Sequence, residues 1–254
     1  MTNEIFNLDG RRALVTGSSQ GIGLALSLAM ARAGATIILN GRSSEKLQAA
    51  KALFDQAGLS AEYCVFDVTD RQQVAEKVDE LEQTGPIDIL VNNAGMQHRA
   101  ALEDFEFEDW DRLMNLNLNS VFNVSKAVVR HMIERKQGKI INICSIQTAL
   151  ARPSIAPYTA SKGAVANLTK GMCTDWAKYN IQANGLAPGY FETELTAALV
   201  ADETFTAWLK QRTPAGRWGK VEELGGAAIF LASSASNFVN GHILYVDGGM
   251  GSCV

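Results

Sequence analysis

The fold is decided by one octapeptide, Thr16-Gly17-Ser18-Ser19-Gln20-Gly21-Ile22-Gly23. An apolar strand candidate, Ala13–Val15, comes directly before it, and a segment with apolar residues at helical spacing, Leu24–Ala33, follows. Glycines at a strand-to-helix turn permit unusual backbone angles and let a pyrophosphate approach the main chain, and the helix N-terminus offers that anion free N–H groups. The octapeptide therefore predicts a dinucleotide-binding turn made of Gly17, Ser19, Gln20, Gly21, Ile22 and Gly23.

The same alternation of strand and helix continues along the rest of the chain. Most of the strand candidates are rich in Val, Ile and Leu without strict alternation, which is typical of strands covered on both faces. Regular alternation implies parallel pairing and a doubly wound α/β sheet with helices on both faces. No linker divides the chain, so we predict one domain over residues 1–254. The other strand candidates are Thr36–Leu39, Glu62–Phe66, Ile87–Val91, Lys139–Ile143, Gln182–Leu186 and Ile243–Val246, and the other helix candidates include Val74–Leu81, Phe122–Ile133, Ala164–Trp176 and Val221–Leu231.

Composition and charge exclude several classes of protein. The 254 residues carry 23 Lys+Arg and 27 Asp+Glu, a net charge of −4, which argues against nucleic-acid binding. No apolar run is long enough to span a membrane, and the first ten residues do not resemble a signal peptide. The four cysteines and three histidines are scattered, so we expect no metal site. A soluble, cytoplasmic protein is the expectation.

The end of the second strand candidate discriminates between the two nicotinamide dinucleotides. An acidic residue there would bond the ribose 2′-hydroxyl of NAD and repel a 2′-phosphate. This chain has Asn40-Gly41-Arg42-Ser43 instead, in which the Arg42 guanidinium suits a phosphate. The sequence favours NADP, with NAD as the alternative.

Three further segments carry a resemblance to a known family. They are Asn92-Asn93-Ala94-Gly95, Tyr158-Thr159-Ala160-Ser161-Lys162 and Pro188-Gly189. Together with the glycine-rich turn, and in this order, they resemble the short-chain dehydrogenase/reductase family over nearly the whole chain. The resemblance implies an NAD(P)-dependent oxidoreductase, seven parallel strands in the order 3-2-1-4-5-6-7, and a homotetramer or homodimer. One departure is Gln20, because many NADP-using relatives have Arg or Lys at this position.

The resemblance also implies four catalytic residues. Tyr158 would give a proton to the substrate oxygen. Lys162, four residues later on one helix face, would lower the pKa of the phenol toward neutrality together with the positive charge of the oxidised nicotinamide. Ser145 would bond the same oxygen. Asn117 would hold a water molecule that links Lys162 to solvent.

Further cofactor contacts follow by position in the family motifs. Asp67 and Val68 would meet the adenine, although Asp67 is also a good candidate N-cap for the following helix. Near the ribose and the nicotinamide, the resemblance implies contacts from Asn93, Ala94, Gly95, Tyr158, Lys162, Pro188, Gly189 and Thr193.

The substrate side resembles the members of the family that interconvert D-gluconate and 5-keto-D-gluconate. That similarity lies in Asn142–Gln147, Ala187–Thr193, Phe205–Leu209, Arg212–Gly219 and Phe238–His242. A sugar acid needs one cation for its carboxylate and several hydrogen-bonding groups for its hydroxyls. We expect Arg99 to bind the carboxylate, with Arg152 as the rival. Ser145 and Tyr158 would bind the reacting oxygen, and Gln147, His98 and Tyr190 would lie near the hydroxyls.

Two other functions stay open at this point. The protein could reduce another ketone, such as a 3-ketoacyl thioester, or it could be a non-catalytic sensor that binds NADP(H). The complete set of Asn117, Ser145, Tyr158 and Lys162 disfavours the sensor, which does not need proton-transfer groups. Residues 191–215 are either a mobile lid over the substrate or a packed surface helix.

Overall fold

Seven apolar segments pair side by side as parallel strands. They are β1 Arg12–Val15, β2 Thr36–Gly41, β3 Ala61–Val65, β4 Ile89–Asn92, β5 Gly138–Ile143, β6 Ile181–Pro188 and β7 Ile243–Val246. The computed structural model describes residues 4–253 without the side chain of Leu195, so residues 1–3 and 254 of the predicted domain lie outside the described part. The strand order is β3-β2-β1-β4-β5-β6-β7, which confirms the predicted topology.

Nine α-helices lie in the described part of the chain. They are α1 Gly21–Arg32, α2 Ser44–Gln56, α3 Arg71–Thr84, α4 Phe107–Met114, α5 Ser120–Arg135, α6 Ala156–Trp176, α7 Ala197–Val200, α8 Glu203–Arg212 and α9 Gly225–Ala232. Helix α6 begins eight residues before the predicted Ala164, because Pro157 fits the first turn of a helix. The predicted helix Val221–Leu231 begins instead as a 3-10 turn, Val221–Leu224, which leads into α9.

Both faces of the sheet are covered, as the apolar strands require. On one face, Val15 and Ile37 pack with Leu26 of α1 and Phe54 of α2. On the other face, Leu14 and Ile38 pack with helices α3, α5 and α6. Burying each such aliphatic or aromatic side chain stabilises the fold by roughly 1.5–3 kcal/mol. The sheet is therefore a rigid platform, and the loops at its carboxyl edge are left to form a site.

The segment between β6 and β7 is built differently. Two short strands, Phe191–Glu192 and Gly219–Lys220, pair in parallel and frame helices α7 and α8. Leu209 of α8 and Trp218 are buried in one apolar cluster, and Trp218 Nε1 donates to Thr206 Oγ1 at 3.1 Å. The predicted lid segment, residues 191–215, is thus largely helical and packs on a small apolar cluster of its own.

Candidate active site

A cavity of about 540 Å³ lies along the carboxyl edge of the sheet. Its walls come from the loops that follow β1 to β6, where ligands of doubly wound sheets bind. The predicted cofactor and substrate residues line this one cavity: Gly17, Ser19, Gln20, Gly21, Ile22, Gly23, Arg42, Asp67, Val68, Asn93, Ala94, Gly95, Arg99, Ser145, Gln147, Tyr158, Lys162, Pro188, Gly189, Tyr190 and Thr193.

The glycine-rich turn is tight enough that side chains do not fit. Gly17 has a φ of +62°, and a Cβ there would lie 2.9 Å from the Cα of Ala94. A Cβ on Gly23 would lie 2.6 Å from the carbonyl oxygen of Gly17. The side chain of Gln20, the N-cap residue, makes no capping hydrogen bond to α1. The first N–H groups of α1 therefore suit an anion such as a pyrophosphate.

Hydrogen bonds fasten this turn to the loop after β4. Thr16 Oγ1 accepts from the backbone N–H groups of Asn93 and Ala94, at 2.9 and 3.0 Å. In return, Asn93 Nδ2 donates to the carbonyl oxygens of Thr16 and Gly17, each at 2.9 Å. These bonds join β1 and β4, the neighbouring strands at which the strand order reverses. They hold the nucleotide end of the cavity in a fixed shape.

A cationic corner follows β2. The Arg42 side chain is 77% exposed, and its Nη1 lies 3.8 Å from Asp67 Oδ2. Such an exposed pair is weak, so the guanidinium stays available to an anion. Lys46 also lines the cavity, although it was not predicted. Its position in the first turn of α2, four residues after Arg42, is the signal that sequence reasoning missed.

Asp67 does not cap the helix that follows it. Its Oδ1 accepts from the backbone N–H and the hydroxyl of Thr69, at 2.8 and 2.7 Å. The N-cap of α3 is Asp70, which accepts from the N–H groups of Gln72 and Gln73. The capping alternative for Asp67 is therefore wrong, because the chain makes one more turn before α3 begins. Its Oδ2 faces Arg42 at the cavity wall.

Three catalytic candidates meet at the other end of the cavity. Tyr158 and Lys162 lie in the first turns of α6, and Ser145 lies two residues after the end of β5. Lys162 is 6% exposed; its Nζ donates to the carbonyl oxygen of Ile143 at 2.6 Å and lies 5.8 Å from the centroid of the Tyr158 ring. Ser145 is 7% exposed, and its Oγ accepts from the backbone N–H of Gln147 at 3.1 Å. A phenol, a hydroxyl and an ammonium thus converge on one space.

In the protein groups alone, burial is the main influence on the pKa of the phenol. Burial raises the pKa of Tyr158, and a side-chain hydrogen bond with Ser145 opposes this. Burial also lowers the pKa of Lys162, whose ammonium is directed at a carbonyl oxygen of the sheet. The expectation that Lys162, together with an oxidised nicotinamide, lowers the pKa of the phenol toward neutrality stays a prediction, because these shifts describe the protein groups without the cofactor. An oxidised nicotinamide carries a positive charge of its own, which would favour the phenolate.

Asn117 does not line the cavity, and its side chain braces the wall from behind. It is 1% exposed and lies in a π-helical turn, Asn115–Asn119, between α4 and α5. Its Oδ1 accepts from the N–H of Met96 at 2.8 Å, while Nδ2 donates to the carbonyl oxygen of Met96 and to Ser161 Oγ. With the side chain occupied in this way, a water relay at Asn117 would have to use its main-chain carbonyl oxygen.

Two arginines face the substrate end of the cavity. Burial and the positive charge of Arg152 both lower the pKa of Arg99, so the two guanidinium groups lie near each other. Neither forms an ion pair with a carboxylate of the described residues. Burial raises the pKa of Tyr190, and the nearby Arg152 guanidinium opposes this rise. Arg152 also lies 5.6 Å over the ring of Phe205 in α8. The predicted carboxylate ligand and its rival therefore share one space.

His98 lies away from this space. Its Nε2 is 3.1 Å from Asp109 Oδ2, and its ring packs edge-on against Phe105 at 5.3 Å between centroids. It is not among the described residues that line the cavity. The ring of His98 therefore contacts Asp109 and Phe105 and does not line the cavity in which the substrate hydroxyls were expected.

The loop after β6 closes the cavity on its last side. A Cβ on Gly189 would lie 2.7 Å from the Cα of Asp247, so this close approach requires glycine. Thr193 caps the short 3-10 turn Glu194–Thr196, accepting from the N–H of Thr196 at 3.2 Å. Thr193 and Pro188 lie on the cavity wall, where the resemblance placed the nicotinamide contacts.

Metal and thiol chemistry have no support in residues 4–253. No group of three or more His, Cys, Asp or Glu side chains in this range could hold a metal ion. The four cysteines are free, and burial raises the pKa of Cys144 to about 11, so its thiol is a poor nucleophile. Among the described helices, none has the length and apolar character that crossing a bilayer requires.

This fold and site define an NAD(P)-binding oxidoreductase, and sequence comparison gives its family. The family model described as short chain dehydrogenase matches residues 11–204. The chain belongs to that family.

Individual relatives within the family are also similar over almost the full length. The gluconate 5-dehydrogenase of Gluconobacter oxydans (strain 621H) is 62% identical over 248 residues, covering 97% of both chains. The 5-keto-D-gluconate 5-reductase of Escherichia coli (strain K12) is 53% identical over 249 residues, covering 98% of both. Among solved structures, a gluconate 5-dehydrogenase from Burkholderia cenocepacia J2315 in complex with NADP and tartrate is 62% identical, with a TM-score of 0.97 and 99% of both chains covered.

Proposed function

We propose that this chain is an NADP-dependent oxidoreductase that reduces 5-keto-D-gluconate to D-gluconate and catalyses the reverse oxidation. One observation carries the proposal: Tyr158, Lys162 and Ser145 share a cavity with Arg99 and Arg152, which have no acidic partner among the described residues. Proton-transfer groups beside unpaired cations suit a ketone that carries a carboxylate. The similar gluconate dehydrogenases support this choice of substrate.

The nucleotide end of the cavity fits NADP. The glycine-rich turn and the first N–H groups of α1 would hold the pyrophosphate. Arg42 and Lys46 would hold the 2′-phosphate, and the chain has no acidic residue in Asn40-Gly41-Arg42-Ser43 to repel it. When bound, the cofactor supplies or accepts the hydride.

The protein's own groups manage the proton. In reduction, the Tyr158 hydroxyl donates its proton to the ketone oxygen as negative charge develops there, while Ser145 Oγ donates a hydrogen bond to the same atom. Lys162 stabilises the resulting phenolate, since its ammonium is fixed near the ring by Ile143. In oxidation, the phenolate takes the proton from the alcohol. Asn117 is a positioning residue that holds the Met96 loop and α6 together.

The two arginines would hold the carboxylate at the far end. A guanidinium binds a carboxylate through two parallel hydrogen bonds, and a second cation strengthens the site. Arg152 also contacts Phe205 of α8, so we propose that residues 191–215 act as a lid that closes when the acid binds. Closure would exclude water from the reacting carbon.

Location and assembly complete the proposal. Four free cysteines suit the reducing conditions of the cytoplasm. We also propose a homotetramer or a homodimer. Exposed apolar side chains on α4, α5 and near β7, such as Phe107, Phe122 and Phe238, would be covered by other copies of the chain.

One assay separates this proposal from its rivals. NADPH and the protein are mixed with 5-keto-D-gluconate, or with acetoacetyl thioester, and the absorbance of the reduced cofactor is followed. We expect rapid oxidation of NADPH with 5-keto-D-gluconate and little oxidation of NADPH with the thioester. The reverse preference would indicate a ketoacyl reductase. Tight NADPH binding without turnover of either compound would indicate a sensor.

A further inference from the structure

The side chain of Gln147 leaves one buried polar atom without a partner. It is 7% exposed and lines the substrate end of the cavity. Its Nε2 donates to Tyr190 Oη at 3.5 Å, but Oε1 has no hydrogen-bond partner among the described residues. A buried acceptor without a donor is unfavourable, and such atoms in folded proteins call for an explanation. At a cavity wall, the explanation is a ligand that brings the donor.

The surroundings of Gln147 indicate which part of a ligand this is. Its own backbone N–H is bonded to Ser145, which lies at the reacting oxygen in the proposed function. Its amide is bonded to Tyr190, which lines the cavity together with Arg152 at the carboxylate end. Gln147 therefore lies between the two anchored ends of the substrate. In a polyhydroxy acid this middle stretch carries hydroxyl groups, which are donors; in a deoxy acid or an acyl thioester, a methylene group takes their place.

We propose that Gln147 determines specificity by accepting a hydrogen bond from one chain hydroxyl of the sugar acid, so that the enzyme rejects acids that lack this hydroxyl. The inference rests on the proposed function and names the chemical feature that it selects. A site built to bond a hydroxyl discriminates strongly against an analogue without it, because the acceptor is then buried unpaired.

The test combines a substrate series with a variant. With NADP⁺, kcat/KM is measured for D-gluconate and for its analogues that lack one hydroxyl at carbon 2, 3, 4 or 6. For wild type, we expect kcat/KM to be about 10- to 100-fold lower with one of these analogues than with D-gluconate, because that analogue leaves Gln147 Oε1 without a donor. In Gln147→Met, D-gluconate loses its partner and the analogue does not. For each analogue we take the ratio of kcat/KM for D-gluconate to kcat/KM for the analogue. In the variant, the ratio for the disfavoured analogue should fall to within about threefold of unity, while the ratios for the other analogues stay as in wild type.

The control is Gln97→Met, the same change at a half-buried amide of the same cavity, which should leave every ratio as in wild type. Unfolding temperature and NADPH affinity are measured for each variant. If Gln147→Met does not fold, Gln147→Leu is used in its place. Unchanged ratios in the Gln147 variants would overturn the proposal. So would a loss of NADPH affinity that matches the loss of activity, because Oε1 would then serve the cofactor. Wild type that is inactive on D-gluconate and 5-keto-D-gluconate would overturn the proposed function as well, before any variant is made.

Discussion

Lys162 Nζ donates a 2.6 Å hydrogen bond to the main-chain carbonyl oxygen of Ile143, the last residue of β5. The bond fixes a buried ammonium to the end of the sheet and ties α6 to the same strand that presents Ser145. Tyr158, one helical turn before Lys162, is thereby held near a cation without a direct hydrogen bond to it. The rigid sheet, rather than the flexible lysine chain, determines where the positive charge lies.

Replacing Lys162 with methionine should keep the fold and remove the charge. The phenolate would lose its stabilising cation, so we expect kcat for 5-keto-D-gluconate reduction to fall by about 10²- to 10⁴-fold. Steady-state kinetics measure this, and Lys170→Met, at an exposed position of the same helix, is the control. Equal losses in both variants would show that helix integrity, rather than the cation at Tyr158, accounts for the effect.

Arg42 should decide between NADPH and NADH. Arg42→Ser removes a charge-assisted hydrogen bond to the 2′-phosphate, so KM for NADPH should rise about 10- to 100-fold while KM for NADH stays nearly constant. Arg32→Ser, at the far end of α1, should change neither value. If Arg42→Ser leaves the preference intact, the 2′-phosphate is held elsewhere, with Lys46 as the first residue to test.

Arg99 and Arg152 should contribute to the binding of the sugar acid and not to the binding of a neutral ketone. Arg99→Met and Arg152→Met should each raise KM for 5-keto-D-gluconate by about 10- to 100-fold, because a carboxylate loses a charged partner. KM for an uncharged hydroxyketone of similar length, measured in parallel, should change little. Equal effects on the two compounds would remove the variant residue from carboxylate binding.

The nucleotide half of the site is predictable from sequence because its logic is local. The turn from Thr16 to Gly23 needs glycines where the main chain passes close to Ala94, and those glycines are visible in the sequence. The alternation of strand and helix likewise predicts a parallel, doubly wound sheet, while the strand order follows from the resemblance to the family. Helix boundaries are less predictable, as in α6, where the first turn carries little apolar periodicity.

The substrate half depends on contacts between distant residues, which spacing does not reveal. Arg152 lines the cavity together with Arg99, although the two residues are 53 positions apart in the sequence. His98 does not line the cavity, and its ring contacts Asp109 instead. Sequence motifs place Tyr158 and Lys162 on one helix face, yet the pKa of the phenol follows from burial, which only the packed structure defines. The contacts of the Asn117 side chain are of the same kind, since Met96 and Ser161 occupy its amide, and its expected part in a water relay stays a prediction.

Lys139, at the amino edge of the sheet, should make stability depend on pH. Its Nζ donates to Asn237 Oδ1 at 2.9 Å, and burial together with Arg11 lowers its pKa to about 8. Arg11 lies 3.6 Å from Asp88, so that carboxylate is already paired. The unfolded chain holds the lysine proton up to a higher pH, so the contribution of Lys139 to the free energy of unfolding should rise as pH increases from about 8 toward the ordinary lysine pKa of about 10.4. The raised pKa of Cys144 acts in the opposite direction, so the effect of Lys139 is measured as a difference between variants.

Urea unfolding across this range measures the effect. Lys139→Met should have a lower slope of the free energy of unfolding against pH than wild type, because its neutral side chain no longer binds a proton in either state. Lys178→Met, at an exposed position, should have the wild-type slope. A Lys139→Met variant with the wild-type slope would mean that Lys139 does not contribute to the pH dependence.

The most direct test of the account is NADPH oxidation by wild type and by Tyr158→Phe in the presence of 5-keto-D-gluconate, with D-gluconate quantified as the product. The account predicts one D-gluconate formed per NADPH oxidised by wild type. It predicts a rate about 10²- to 10⁴-fold lower in Tyr158→Phe, with NADPH affinity and unfolding temperature unchanged. A variant as fast as wild type, or wild type that forms no D-gluconate, would contradict it.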